Sequence, residues 1–212
     1  MTLGPLQRGI EQLYAVETGL DVDDFLVDAA DLPDVALRTR GETLLLRQEE
    51  DGSASVGLWV DAVSLDRLRA APARRWIDPD LLPDFCKALE GVSHFVYLAW
   101  RAAEERPVSL FDLELQAEVD KFVAGTLLAR EGGAGPSEIE GLRARLFDDV
   151  EFIDGEDGDP GARYRRASGL AARLAARLAE PLSRPSGRAA TFGRLRRFYR
   201  LGGEEKVREI DR

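Results

Sequence analysis

Two apolar stripes of helical period, laid end to end between residues 85 and 126, constrain this chain more than any other feature. Phe85, Leu89, Val92, Val96, Ala99 and Ala103 recur at steps of four and three. Phe111, Leu115, Val119, Phe122 and Thr126 repeat the pattern after Arg106-Pro107-Val108, a sequence that stops a helix. Ser109, with Asp112 three residues on, supplies an N-terminal cap for the second helix. So short a link forces the two helices to be antiparallel neighbours.

The flanking segments fill in the class. Residues 5–18 read as an amphipathic helix stopped by Gly19. Glu42 to Glu50 and Ser55 to Asp61 read as hairpin arms around Asp51-Gly52. Leu44 and Leu46 would share one face with Val56, Leu58 and Val60, leaving Leu45 and Trp59 on the other. Phe25 to Val27 and the alternation through Val35, Leu37 and Thr39 suggest further strands. Ser64 would cap a short helix to Ala71, and Ser137 with Glu140 would box a helix to about Phe147. Long helical patterns follow at about 162–182 and 190–201, separated by a linker-like Ser183 to Gly187. Residues 204–211 would add at most a frayed turn. The expected fold is α+β and mostly helical, with a small N-terminal antiparallel sheet of three to four strands against about six helices. Residues 1–75 form the α+β region and 76–212 the helical region, as one continuous unit.

Composition narrows the functional classes. The chain of 212 residues has one Cys, one His and three Lys. One Cys excludes an internal disulfide framework and suits a reducing cytosol. The first residues lack the basic-then-apolar pattern of a signal peptide, and no apolar run reaches the ~20 residues of a membrane span. Arg supplies 26 of the 29 basic residues, which points to a GC-rich bacterial genome. Residues 1–159 carry 34 acidic and 15 basic side chains, and residues 160–212 carry 5 and 14. Such asymmetry marks either a partner surface or a basic tail folded onto its own acidic body.

Four residues of the central helices form a candidate metal or acid–base site. Glu90 and His94 share a helix face at i, i+4, as do Glu114 and Glu118. With a turn near Pro107, His94 lies level with Val119. Glu118 is then in reach of it, and Glu90 and Glu114 lie about a turn away. A His and three carboxylates suit a divalent ion. Equally, Lys121 can neutralise Glu118 at i+3, leaving a polar flank to the apolar stripe. Paired Glu-x-x-His and His-Glu-x-x-His motifs are both missing from the sequence. Cys86 and His94 lie about 12 Å apart on one helix, too far for a nucleophile–base pair. Ser93 has no nucleophile elbow, residues 132–136 lack the Lys of a phosphate loop, and Asp154 to Asp159 lacks the Ca²⁺ spacing.

The second candidate is basic. Arg163, Arg166, Arg173 and Arg177 fall on one side of a helical wheel. Arg194, Arg197, Phe198 and Tyr199 interleave Arg with aromatics on the last long helix. That combination suits an acidic protein partner or nucleic acid, although a net charge of −10 opposes nucleic acid. The sequence therefore favours a cytosolic, non-catalytic accessory or regulatory protein that binds a protein partner. A metal-dependent hydrolase at the Glu/His site and nucleic-acid binding through the Arg face are the alternatives, and no membrane role is expected.

Overall fold

A computed structural model describes residues 3–32, 41–48, 54–148 and 160–212. Among these, eight α-helices accompany one two-stranded antiparallel sheet. Helix α1 spans Gly4–Tyr14, strands β1 and β2 span Glu42–Gln48 and Ala54–Val60, and α2 spans Ala62–Arg69. The two long helices are α3 (Leu82–Ala103) and α4 (Leu110–Glu131). Then come α5 (Pro136–Phe147), α6 (Pro160–Ser183), α7 (Pro185–Arg200) and α8 (Gly203–Asp211).

Helix α4 is the central rod, packed on α3 along one side and α6 along another. Its start is fixed as the sequence requires. Asp112 N donates to Ser109 Oγ at 3.1 Å and Ser109 N donates to Asp112 Oδ2 at 3.0 Å, closing the capping box. The stripe residues Phe85, Leu89, Val92 and Val96 are buried, as are Leu115, Val119, Phe122 and Thr126. Ala103 is exposed, so the α3 stripe runs out at its last turn. The hairpin and α2 pack on α3, α5 against α4 and α6, and α7 against α6 and α1. One apolar cluster runs from Leu3 to Ile210 and includes hairpin residues Leu58 and Val60. No described helix is long and apolar enough to cross a membrane.

The hairpin register pairs Leu44 with Leu58 and Leu46 with Val56, the arrangement expected from alternation. The sheet has two described strands instead of three or four. Residues 26–27 add only a bridge from Leu26 and one bond from Val27 N to Leu58 O at 3.0 Å. The expected Val35–Thr39 strand and Asp51-Gly52 turn lie outside the described residues.

Several ends also differ. Helix α1 stops at Tyr14, because Ala15 turns left-handed (φ 51°) and Gln7 holds the returning chain at Leu20 O and Val22 N. Asp61, not Ser64, caps α2 by accepting from Val63 N and Ser64 N. At α5, Glu138 reaches back to Gly135 N, while Glu140 pairs with Arg143. The linker between α6 and α7 shrinks to Arg184, since Pro185 opens α7 in a first-turn position proline favours.

Gly91 lets the hairpin approach α3. A Cβ there would stand 2.9 Å from Leu58 Cδ1 and 3.4 Å from Val60 Cγ2. Gly91→Ala is expected to be nearly neutral, because Leu58 can yield and Ala favours helix. Gly91→Val is expected to cost about 1–3 kcal/mol by overpacking, measured as a lower urea midpoint at unchanged slope. Equal midpoints for Gly91→Val and the parent would contradict this packing.

Candidate functional site

The Glu/His cluster forms where β1, α3 and α4 meet. One ligand atom each from Glu90, His94 and Glu114 lie within 4.8 Å of one another. Glu90 and His94 stand one turn apart on α3, and Glu114 reaches them from the facing helix. A fourth acid comes from the hairpin, with Glu42 Oε2 3.8 Å from His94 Nδ1. His94 is 7% exposed, and its Nε2 has no hydrogen-bond partner. Arg163 of α6 stands at the edge, 3.7 Å from Glu114.

Glu118 does not join this group, against the expectation from the sequence. Lys121 Nζ donates to Glu118 Oε1 at 2.6 Å, and the Tyr164 hydroxyl donates to the same oxygen at 2.9 Å. Lys121 also lies 2.5 Å from Glu90 Oε2. The neutralisation at i+3 therefore holds Glu118, helped by a tyrosine that α6 delivers. Glu42 is the member that sequence reasoning missed. Its only signal is its place at the start of a strand whose partner face packs on α3.

Charge and burial oppose one another throughout the cluster. Burial would lower the His94 pKa, but the Glu42, Glu90 and Glu114 carboxylates outweigh it and raise it to about 9. Burial raises Glu114, with Glu90 adding to the shift and His94 and Arg163 working against it. Burial likewise disfavours the Lys121 ammonium, yet Glu118 and Glu90 hold it well above the ordinary lysine value. Cys86 is pushed up to about 12 by burial, so its thiol stays protonated and inert.

A second polar cluster lies on another side of α4 and escaped the sequence reading. Asp120 accepts from Tyr14, from Ser93 Oγ at 2.6 Å and from Gln116 Nε2 at 2.8 Å. Lys206 Nζ donates to Gln116 Oε1 at 2.8 Å and Tyr97 Oη at 3.0 Å. It is fully buried, 4.2 Å from the centre of the Tyr97 ring. The available signal was the i, i+4 spacing of Lys206 and Ile210, which puts this lysine on the apolar side of α8.

On the Arg-rich helices Arg166, Arg173, Arg177, Arg194 and Arg197 are exposed, although several also contact their own fold. Arg166 stacks over Phe111, Arg173 pairs with Asp211 at 3.0 Å, and Arg177 donates to Ile210 O. Arg196 donates to Leu13 O and Gln12 O, and Arg200 to Tyr14 O and Ala15 O. Phe198 and Tyr199 lie in the core, 4% and 0% exposed, with Tyr199 stacked on Tyr14. The expected face is therefore present in its Arg side chains but not in its aromatic ones. The rings complete the amphipathic side of α7, while Arg194 and Arg197 point outward. An open groove of about 720 Å³ lies between α1, the end of α3 and Arg200. Arg8, Glu11, Gln12, Trp100, Glu104 and Arg106 are among its lining residues.

Comparison of the chain with protein-family models, curated proteins and solved structures gave no match.

The second cluster makes stability depend on pH. Burial lowers Lys206 to about 7 and raises Asp120 to about 6. The Asp120 contribution is present below its ordinary value of 3.8 and lost as pH rises through about 6. The Lys206 contribution is present above its ordinary value of 10.5 and lost as pH falls through about 7. Alone these two groups would raise stability above about pH 7, but His94, raised from 6.5 to about 9, contributes stability that is lost over the same interval and offsets the gain. Urea midpoints from about pH 7 to about pH 9 are therefore expected to stay nearly level in the parent and to fall in Lys206→Met. The same pH dependence in both proteins would contradict the assignment.

Proposed function

We propose that the protein is a non-catalytic accessory or regulatory protein that binds a protein partner through the groove between α1, α3 and α7. The observation that carries this reading is the separation of reactive groups from the open surface. His94, Lys121, Asp120 and Lys206 are buried and held within the fold, and the Cys86 thiol is kept protonated. The groove instead offers charged side chains of both signs, Arg8 and Arg106 with Glu11, Glu17 and Glu104, above a buried Trp100. Arg is among the side chains that most often anchor protein interfaces, and a rim of both signs supplies register. A protein working in a reducing compartment fits the single cysteine.

This reading is favoured over the two alternatives on specific grounds. A hydrolytic metal must keep a position open for water and substrate. The side chains of His94, Glu90 and Glu114 are only 8%, 15% and 18% exposed, which leaves little room for either. Nucleic-acid binding needs guanidinium groups directed at phosphates. Arg163, Arg173 and Arg177 are directed at Glu114, Asp211 and a backbone carbonyl.

The test is photo-crosslinking in cells from a reactive residue placed at Gln12, with and without Arg8→Glu and Glu104→Arg together. A reproducible protein adduct is expected, weakened at least about tenfold by the charge reversal, a loss of about 1.4 kcal/mol in binding. Melting temperature should not change, because both side chains are exposed. An adduct pattern indifferent to the reversal, or no protein adduct at all, would overturn the reading.

A further inference from the structure

We propose that a first-row divalent transition ion, such as zinc or manganese, binds where β1 meets α3 and α4, ligated by His94, Glu90 and Glu114, with Glu42 beside the other ring nitrogen of His94. This inference is independent of the groove and of the partner reading.

Three observations carry it. The first is geometric. Ligand atoms of Glu90, His94 and Glu114 lie within 4.8 Å of one another, so a central ion would stand at most about 2.8 Å from each. Bonds of about 2.0–2.2 Å then need only small side-chain movements. Glu90 can serve while it contacts Lys121, because a carboxylate has two oxygens and about four acceptor positions.

The second is the imidazole. His94 is buried, and its Nε2 has no hydrogen-bond partner. A buried ring nitrogen without a partner costs free energy that a metal bond or a hydrogen bond would recover. Its Nδ1 stands 3.8 Å from the Glu42 carboxylate, which can orient the ring.

The third is the local charge. Glu42, Glu90, Glu114 and Glu118 bring four carboxylates, and Lys121 and Arg163 bring two permanent cations. Once an ion displaces the His94 proton, two negative charges remain at a largely buried site. One divalent ion supplies that countercharge. Imidazole with carboxylates favours zinc or manganese over magnesium, which prefers six oxygens and retains its waters.

The single histidine makes the test direct. Untagged full-length protein, labelled with ¹⁵N-histidine and stripped by chelator, is titrated with zinc chloride and, separately, with magnesium chloride. The ring nitrogen signals, which arise from His94 alone, are expected to shift and saturate at one equivalent of zinc. Glu114→Gln should weaken zinc at least about tenfold, whereas Glu118→Gln should stay within about twofold. Magnesium at the same concentration should leave the ring signals in place. Zinc binding without movement of the His94 signals would overturn the site, as would an equal response to magnesium or equal affinity in Glu114→Gln. Because the ring signals are read in the unaltered chain, the outcome stands even if a variant fails to fold.

Discussion

The ammonium of Lys121, closed in between α3, α4 and α6, is the interaction on which the rest of the structure depends. It contacts Glu90 on α3 and Glu118 one turn back on its own helix, and it donates to the Tyr164 hydroxyl oxygen of α6. Three helices are thereby fixed at one level. A buried ammonium is tolerated only where opposite charge and hydrogen bonds replace its water. That requirement makes the packing specific in a way that Leu and Val contacts alone would not. It also withdraws Glu118 from the neighbourhood of His94 and leaves Glu114 and Glu42 to face the imidazole.

Helix α4 shows why the interior is so polar. At 100° per residue, Leu115, Val119, Phe122 and Thr126 form one apolar stripe. Glu114, Glu118 and Lys121 flank it on one side, and Gln116 and Asp120 on the other. A surface helix would give these flanks to water. Here α3, α6, α1 and α8 cover both, so each flank becomes an internal network. One network ends at Lys206, whose charge is disfavoured by burial among aromatic rings. The other holds an excess of carboxylate around a single imidazole. The two differ in sign for the same reason, which is that each group was placed by packing and its charge then had to be met locally.

The basic C-terminal segment also finds its meaning inside the molecule. An α-helix leaves its last carbonyls without intrahelical donors. Those of α1, from Gln12 to Ala15, accept from Arg196 and Arg200 of α7. The charge asymmetry along the chain is thus partly discharged by closing its two ends against each other. Beside that closure lies the open groove, lined by acidic and basic side chains.

The sequence by itself determined the paired central helices, the hairpin register, the Ser109–Asp112 cap and the inertness of Cys86. Each rests on periodicity or chemistry within a few residues, where a side chain's face follows from its position. It also placed Glu90, His94, Glu114 and Glu118 on facing helices, since i, i+4 spacing and one short turn suffice for that, but put Glu118 rather than Glu114 nearest the imidazole. Tertiary structure alone decided that Glu42 completes the group, that Glu118 belongs to Lys121, and that Tyr199 stacks inside against Tyr14. It alone joined Lys206 to Gln116 across 90 residues. Those contacts depend on which elements meet and at what level. That choice comes from burying many apolar side chains at once, and no local pattern records it.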